Sequence, residues 1–321
     1  MPSSKAKAGH ALPPAFRPVT YVPNFFAAES SVDRLDAQDP AAVTRWFDAP
    51  GGGSGDRSAL ILGDAARVLP AMPDGVFQSC ITSPPYWSLR DYRIPGQIGG
   101  EDSVFAYIDR LTKVFSEVRR VLKDDGTLWL NIGDSYTSGG RSWRAGDKKN
   151  PIRAMSVRPP TPEGLKPKDL IGVPWLLAFA LQKDGWYLRA DIVWNKPNCQ
   201  PESVKDRPTR SHEYLFLFSK NERYRYAPGA VRGPHGRNVR TVWEIPTRPY
   251  PEAHFATFPP ALVEPCLQLG SQKNDLILDP FIGSGTTGVV ALKLERRFVG
   301  IELNPDYLLL AEGRLNGDLI R

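Results

Sequence analysis

What this chain has little of narrows its class before any motif is considered. Only three of its 321 residues are cysteine (Cys80, Cys199 and Cys266), and their spacing suits neither a metal-ligand set nor a disulfide framework. A protein of a reducing cytosol with no metal is therefore expected. No apolar run approaches a membrane span, and no signal-peptide pattern opens the chain. Nothing repeats at a solenoid period. What is present is a modest excess of positive charge: 41 lysines and arginines against 35 acidic residues give a net charge of +6 and a pI of about 9.2. That balance favours a polyanionic partner. The length suits one large α/β core, alone or with a small lobe.

The opening residues 1–19 are rich in Ala, Pro and Lys and read as a tail. Residues 19–47 carry some amphipathic character, and Gly51-Gly52-Gly53-Ser54-Gly55 has the composition of a flexible linker. Residues 1–55 are thus assigned to tail and linker, and 56–321 to a single catalytic domain whose first strand is Ala59-Leu60-Ile61-Leu62. A helix is predicted from Val104 to Leu122, because Val104, Ile108, Leu111, Phe115, Val118 and Leu122 share one face. Asp102 and Ser103 are candidate caps, and Asp125-Gly126 is the predicted stop before a strand at Thr127–Ile132. Strand, crossover helix and strand make the unit of a parallel sheet. Two segments hold most of the positive charge. One is a basic loop over 137–168 that includes Arg141, Arg144, Lys148 and Lys149. The other spans 200–245, with Arg207, Arg210, Arg232, Arg237 and Arg240 flanking an apolar strand at His212–Phe218. Both are candidate DNA-binding segments, the second a candidate target-recognition region.

Chemistry is concentrated in two motifs. Thr82-Ser83-Pro84-Pro85-Tyr86-Trp87 follows the apolar, β-leaning run Val76–Ile81. Its two prolines forbid helix, stiffen the turn and remove two N–H donors. Carbonyl acceptors are left beside the Ser83 hydroxyl and an aromatic face, which suits an amino group on a flat ring. Far along the chain, Asp275–Asp279 reads as a strand, Pro280-Phe281-Ile282-Gly283-Ser284-Gly285-Thr286-Thr287-Gly288 as a loop opening a helix, and Phe298–Glu302 as a second strand ending in an acid. Gly283, Gly285 and Gly288 satisfy the dinucleotide fingerprint, with Glu302 where a ribose-binding acid belongs. A nicotinamide-dependent oxidoreductase is therefore one reading. Asp279 opposes it, since a carboxylate at the strand tip repels a pyrophosphate and attracts a cationic amino acid moiety. S-adenosylmethionine carries such a moiety, a sulfonium and a ribose diol, and no phosphate.

Ser-Pro-Pro-Tyr together with Asp-Pro-Phe-x-Gly-Ser-Gly-Thr-Thr resembles the amino-methylating DNA methyltransferases. The catalytic motif precedes the cofactor motif, the permuted order of that family's β class, and the likeness runs from about Leu60 to Leu315. It implies an α/β fold with a Rossmann-like S-adenosylmethionine-dependent methyltransferase sheet, circularly permuted motif order and a small DNA-recognition region. The serine heading the motif resembles the N4-cytosine enzymes more than the N6-adenine ones. The resemblance implies methyl transfer from S-adenosylmethionine to the exocyclic amine of a base flipped out of double-stranded DNA, as in restriction–modification systems with a separately acting endonuclease. Monomer and homodimer are both compatible with it.

The residue roles it implies are specific. Ser83 and the Pro84 carbonyl would accept the amine's two hydrogens, with Pro85 stiffening the turn. Tyr86 would stack on the base, with Trp87 supporting it and Trp194 as a second pocket aromatic. Asp64, Phe255, Thr257, Asp279, Phe281, Gly283, Ser284, Gly285, Thr286, Glu302 and Leu303 would hold the cofactor. Asp64 also reads as a helix cap. Pro265-Cys266 resembles the nucleophile pair of enzymes that methylate cytosine carbon, but its place in the apolar segment Phe258–Leu267 marks Cys266 as a buried structural cysteine. Adenine N6 methylation and non-catalytic DNA binding are the competing readings.

Overall fold

The structure is a computed structural model that describes residues 32–49, 58–92, 94–137, 159–233, 236–247 and 258–316. In chain order its elements are β1 (Val32–Asp36), α1 (Pro40–Asp48), β2 (Ser58–Leu62), α2 (Ala65–Val68), β3 (Phe77–Thr82), α3 (Val104–Val121), β4 (Leu122–Ile132) and α4 (Val173–Lys183). They continue with β5 (Tyr187–Asn195), β6 (His212–Ser219), β7 (Val242–Glu244), α5 (Pro260–Gly270), β8 (Leu276–Asp279), α6 (Thr286–Lys293), β9 (Arg297–Glu302) and α7 (Pro305–Leu315).

The nine strands among the described residues join one sheet in the order β1-β2-β9-β8-β3-β4-β6-β5-β7. Strands β3 and β8 are buried along their whole length, the pattern of a parallel sheet covered on both faces. One apolar core packs Phe77, Leu111, Phe115 and Phe216 on one side, and another packs Trp129, Leu267 and Phe298 on the other. Pairing is parallel from β1 to β4, whereas β6 runs antiparallel to both β4 and β5.

The feature that positions the site is the β3–β8 pair. These strands are adjacent and parallel, but their onward connections diverge. From β8 the chain passes through α6 to β9 on one side, and from β3 through α3 to β4 on the other. A crevice opens at the carboxyl ends of strands where such connections part. The two sequence motifs leave the sheet at this point.

Two boundaries differ from the sequence expectation. The sheet begins at Val32, inside the segment assigned to tail and linker. Strand β1 pairs in parallel with β2, and α1 buries Val43, Trp46 and Phe47 in the core, while the Trp46 indole donates to Asp33 at 2.7 Å. These apolar residues share a helix face, and their burial outweighs the tail-like composition around them. Strand β4 begins at Leu122 rather than Thr127. Phe77 pairs with Leu122 and Ser79 with Thr127, so Lys123 to Gly126 form a bulge within the strand. Helix α3 is capped as expected, with the Ser103 hydroxyl accepting from the Ala106 N–H at 3.1 Å. Among the described residues no helix is long and apolar enough to cross a membrane.

Candidate active site

A single cleft of about 860 Å³ lies over the carboxyl ends of β3 and β8. It brings together Ser83, Pro84, Pro85 and Tyr86 from the turn after β3 with Phe281, Gly283, Ser284 and Thr286 from the loop after β8. Asp64, Glu302, Leu303 and Trp194 line it as well. Residues far apart in sequence thus meet at one place because their strands are neighbours.

The loop after β8 is shaped for a close ligand. Gly283 and Gly285 have φ of 53° and 86°, a region that favours glycine. The Gly283 N–H donates to Glu302 Oε2 at 2.9 Å and the Asn304 N–H to Oε1 at 2.8 Å. Burial raises Glu302 to about 7, against the pull of these two N–H groups. The outcome is a carboxyl group held by backbone at the cleft wall. Ser284 and Thr286 are fixed from α7, since Arg314 donates to the Ser284 hydroxyl at 2.8 Å and to the Thr286 hydroxyl at 3.2 Å. Asp64 caps α2 by accepting from the Ala66 N–H at 3.0 Å, and it also faces the cleft. The helix-cap reading of Asp64 is thus the one its hydrogen bond shows. Gly288 turns away from the cleft and packs against Phe298 and Leu315.

Asp279 is placed differently from its sequence reading. It is 1 % exposed and absent from the cleft wall. Its carboxylate accepts from the Thr82 hydroxyl at 2.6 Å, the Thr287 hydroxyl at 2.7 Å and the Phe281 N–H at 3.1 Å. Burial lifts it to about 6, with Thr82 and Thr287 opposing the rise. Both oxygens are thus committed to the protein, and Asp279 ties the tip of β3 to the start of α6 instead of facing a cationic ligand.

At the other end of the cleft, the turn presents its acceptors selectively. The Pro85 carbonyl is taken by the Tyr107 hydroxyl at 2.8 Å, and the Tyr86 carbonyl accepts from Leu89 at 3.4 Å. No hydrogen bond among the described residues engages the Pro84 carbonyl, which leaves it beside Ser83 as an acceptor. The Tyr86 hydroxyl donates to Glu213 Oε2 at 2.8 Å, with Asn131 Oδ1 at 3.3 Å as a second acceptor. Burial pushes this phenol well up, the Glu213 carboxylate adds to the rise, and the Ser83 hydroxyl opposes it. Gly133 makes room for the ring, because a Cβ there would lie 2.7 Å from Tyr86 Cε2.

Other expected residues fall less simply. Trp87 is buried behind the turn, donates to the Glu101 carbonyl at 2.9 Å and does not line the cleft. Trp194 borders the cleft but is 2 % exposed, with its indole N–H bonded to the Ile245 carbonyl at 2.8 Å. The Lys196 ammonium lies 4.1 Å above its ring. Cys266 is fully buried and its thiol donates to the Leu262 carbonyl, as expected of a structural cysteine. Arg210 lines the cleft 3.8 Å from Asp134. Arg207 is ion-paired with Glu202 at 2.6 Å and stacked 3.8 Å over Tyr136. Arg232, Arg237 and Arg240 are exposed and do not line the cleft. Phe255, Thr257, Arg141, Arg144, Lys148 and Lys149 lie outside the described residues.

Sequence reasoning missed two groups. Asn131, Lys196 and Glu213 surround Tyr86. Their only signal was polarity next to apolar residues near the end of β4, at the start of β6 and just past β5. Tyr92 and Tyr307 meet edge-to-face, 6.1 Å between centroids, beside Glu302 and Leu303. They come from segments that carried no motif.

With this geometry in place, comparison with known proteins is direct. The sequence model of the DNA methylase family matches residues 77–313. Type II methyltransferase M.SmaI of Serratia marcescens is 61% identical over 262 residues, covering 80% of this chain and 90% of that protein. Type II methyltransferase M.Cfr9I of Citrobacter freundii is 60% identical over 265 residues, covering 81% and 88%. A Thermus thermophilus protein solved in complex with S-adenosyl-L-methionine superposes with a TM-score of 0.60 at 27% identity, over 81% of this chain and 94% of that one. PvuII DNA methyltransferase (cytosine-N4-specific) shares the fold, with a TM-score of 0.62 at 21% identity over 80% and 85%. The cleft and its two motifs are those of a methyl-transferring enzyme. The chain belongs to the DNA methylase family. The nicotinamide reading of the glycine loop is thereby set aside.

Proposed function

We propose that this protein is a sequence-specific DNA methyltransferase that methylates the exocyclic N4 of a flipped cytosine in double-stranded DNA, within a restriction–modification system. The observation that carries the reading is the pairing of the Ser83 hydroxyl with the uncommitted Pro84 carbonyl at the lip of a cleft shared with Glu302 and the glycine loop.

The cleft residues fit S-adenosylmethionine. In this reading Glu302 takes the ribose hydroxyls, Leu303 and Tyr307 the adenine, and Phe281, Ser284 and Thr286 the methionine end, and what supports it is that all of them line the one cleft. No phosphate-binding group is required. When bound, S-adenosylmethionine supplies an electrophilic methyl on a sulfonium.

The chain's own contribution is to make a poor nucleophile reactive. The lone pair of a cytosine amine is delocalised into the ring. Fixed acceptors on both hydrogens, Ser83 Oγ and Pro84 O, favour tetrahedral geometry and localise the pair on nitrogen. That is positioning with electrostatic preorganisation and needs no covalent enzyme intermediate. Tyr86, braced by Glu213 and Gly133, offers the flat wall on which a base can stack. A base inside a duplex cannot reach this depth, so it must be flipped. Arg210 at the rim, together with Arg232, Arg237 and Arg240, favours the phosphate backbone.

The test is incubation with DNA and methyl-labelled S-adenosylmethionine, followed by digestion and chromatography of nucleosides. Label in N4-methylcytosine is expected. Label in N6-methyladenine would transfer the reading to adenine, and unlabelled DNA would leave a binding protein.

A further inference from the structure

The base end of the cleft contains an ion pair that the methyl-transfer chemistry above does not use. Lys196 follows directly on β5, where its backbone N–H donates to the Ser211 carbonyl at 2.7 Å. Its ammonium is hydrogen-bonded to Glu213 Oε1 and stands 4.1 Å over the Trp194 ring. Glu213 is held in turn by the Tyr86 hydroxyl at 2.8 Å and the Asn131 amide at 3.2 Å, both on Oε2. The two side chains retain only 16% and 19% of their exposure, and both face the cleft. The cation is therefore locked to the turn that carries Ser83 through Glu213 and Tyr86, with Glu213 and Asn131 placed by β6 and β4. A donor fixed in this way is preorganised for recognition.

An ammonium has three hydrogens and no acceptor. Glu213 takes one, and the Trp194 face stabilises the charge, which leaves donor capacity towards the cleft. The bases differ in what they offer such a donor. With its amine held at Ser83 and Pro84, cytosine presents along the same edge the N3 lone pair and then the O2 carbonyl. Adenine held by its amine presents N1 and then a C2–H, which accepts nothing.

We propose that Lys196 is a specificity-determining residue that donates to O2 of the flipped cytosine, with Glu213 and Trp194 fixing its ammonium. The inference rests on the cytosine reading of the site. It assigns the choice of base to a lysine lining the cleft as well as to the serine heading the turn.

The experiment compares two duplexes, identical except at the target base, built on a site mapped by sequencing methylated DNA. One carries cytosine. The other carries a C-linked 2-aminopyridine nucleoside, which keeps the amine and the ring nitrogen but has C–H in place of the O2 carbonyl. Methyl transfer by the wild-type protein is expected to favour cytosine by about 10- to 100-fold in kcat/KM, the range for a hydrogen bond from a charged donor. Lys196→Met is expected to lose activity on cytosine and to treat the two duplexes alike within about threefold, the usual scatter of such comparisons. Glu213→Gln retains the ammonium and is expected to keep part of the preference. A purely structural lysine would leave the wild-type preference intact in Lys196→Met, which would overturn the proposal. Equal use of both duplexes by the wild-type protein would overturn it without any variant. A mapped product of N6-methyladenine would remove the cytosine reading itself, an outcome distinct from a cytosine product lacking O2 preference.

Discussion

At the scale of single residues, Ser83, Glu302 and Asp279 each make a separable prediction. Ser83→Ala removes one acceptor from the reacting amine. Turnover is expected to fall by on the order of 10²-fold, the usual cost of losing one preorganised hydrogen bond at a reacting group. Affinity for S-adenosylmethionine, measured by calorimetry, is expected to stay within about twofold, a difference well below 1.4 kcal/mol. Glu302 and Asp279 are both raised, to about 7 and about 6 from ordinary values of 4.5 and 3.8. A raised carboxyl binds more protons folded than unfolded between its two values. Their contribution to stability is therefore present at low pH and is lost as pH rises through that window, reaching its floor near 7. Thermal unfolding of the free protein between pH 4 and pH 8 is the check, and Glu302→Gln is expected to flatten the upper part of the slope. Because the ionised form of Glu302 is the better acceptor for a diol, cofactor affinity is expected to rise with pH up to about 7 and then level off. Asp279→Ala strands the buried Thr82 hydroxyl, at about 1–3 kcal/mol for an unpaired group, and leaves the Thr287 hydroxyl only its longer bond to the Ile81 carbonyl at 3.3 Å. Its effect on cofactor binding acts through the loop, and Asp279→Asn is expected to recover much of the stability.

At the scale of elements, the site depends on where backbone passes close to a side chain. Gly133 follows β4, and an alanine Cβ there would meet the Tyr86 ring at 2.7 Å. Gly133→Ala is expected to displace Tyr86 and lower turnover at least tenfold, a barrier increase of about 1.4 kcal/mol, while cofactor affinity stays near wild type. Steady-state kinetics with cofactor titration separate these effects. Gly285 combines φ of 86° with a would-be Cβ at 3.1 Å from Ala311 on α7. Gly285→Ala is therefore expected to impair cofactor binding and to lower the melting temperature together. The elements bearing motifs were legible in sequence because their local signals agree: an apolar strand, then prolines or glycines, then a helix. The bulge of Lys123 to Gly126 was not legible, since Asp125-Gly126 looks like any helix stop and its inclusion in β4 depends on pairing with Phe77. The inward turn of Asp279 was also hidden. Nothing in Asp-Pro-Phe says that Thr82, nearly two hundred positions earlier, will supply its partner. Lys196 and Glu213 were invisible for the same reason, each being an isolated polar residue until β5 and β6 pair.

On the scale of the whole molecule, one sheet converts two distant motifs into a single cleft by placing β3 beside β8. The fold and the family were legible because both motifs are long and local. Base choice was not, because its proposed determinants, Lys196 and its partner Glu213, meet only when the chain just past β5 lies beside β6. The positive charge is arranged on the same scale. Replacing Arg232, Arg237 and Arg240 together by Ala is expected to weaken binding to all duplexes alike. It should also lessen the dependence of log K on log salt, by about 0.9 for each phosphate no longer neutralised. Fluorescence anisotropy over a salt series measures it. A loss confined to one sequence would instead place these arginines in base readout. The central claim is that the cleft methylates cytosine at N4, and mass spectrometry of nucleosides from DNA treated with the wild-type protein tests it most directly. N4-methylcytosine is the expected methylated product, strongly reduced with Ser83→Ala. N6-methyladenine in its place, or undiminished product from Ser83→Ala, would contradict it.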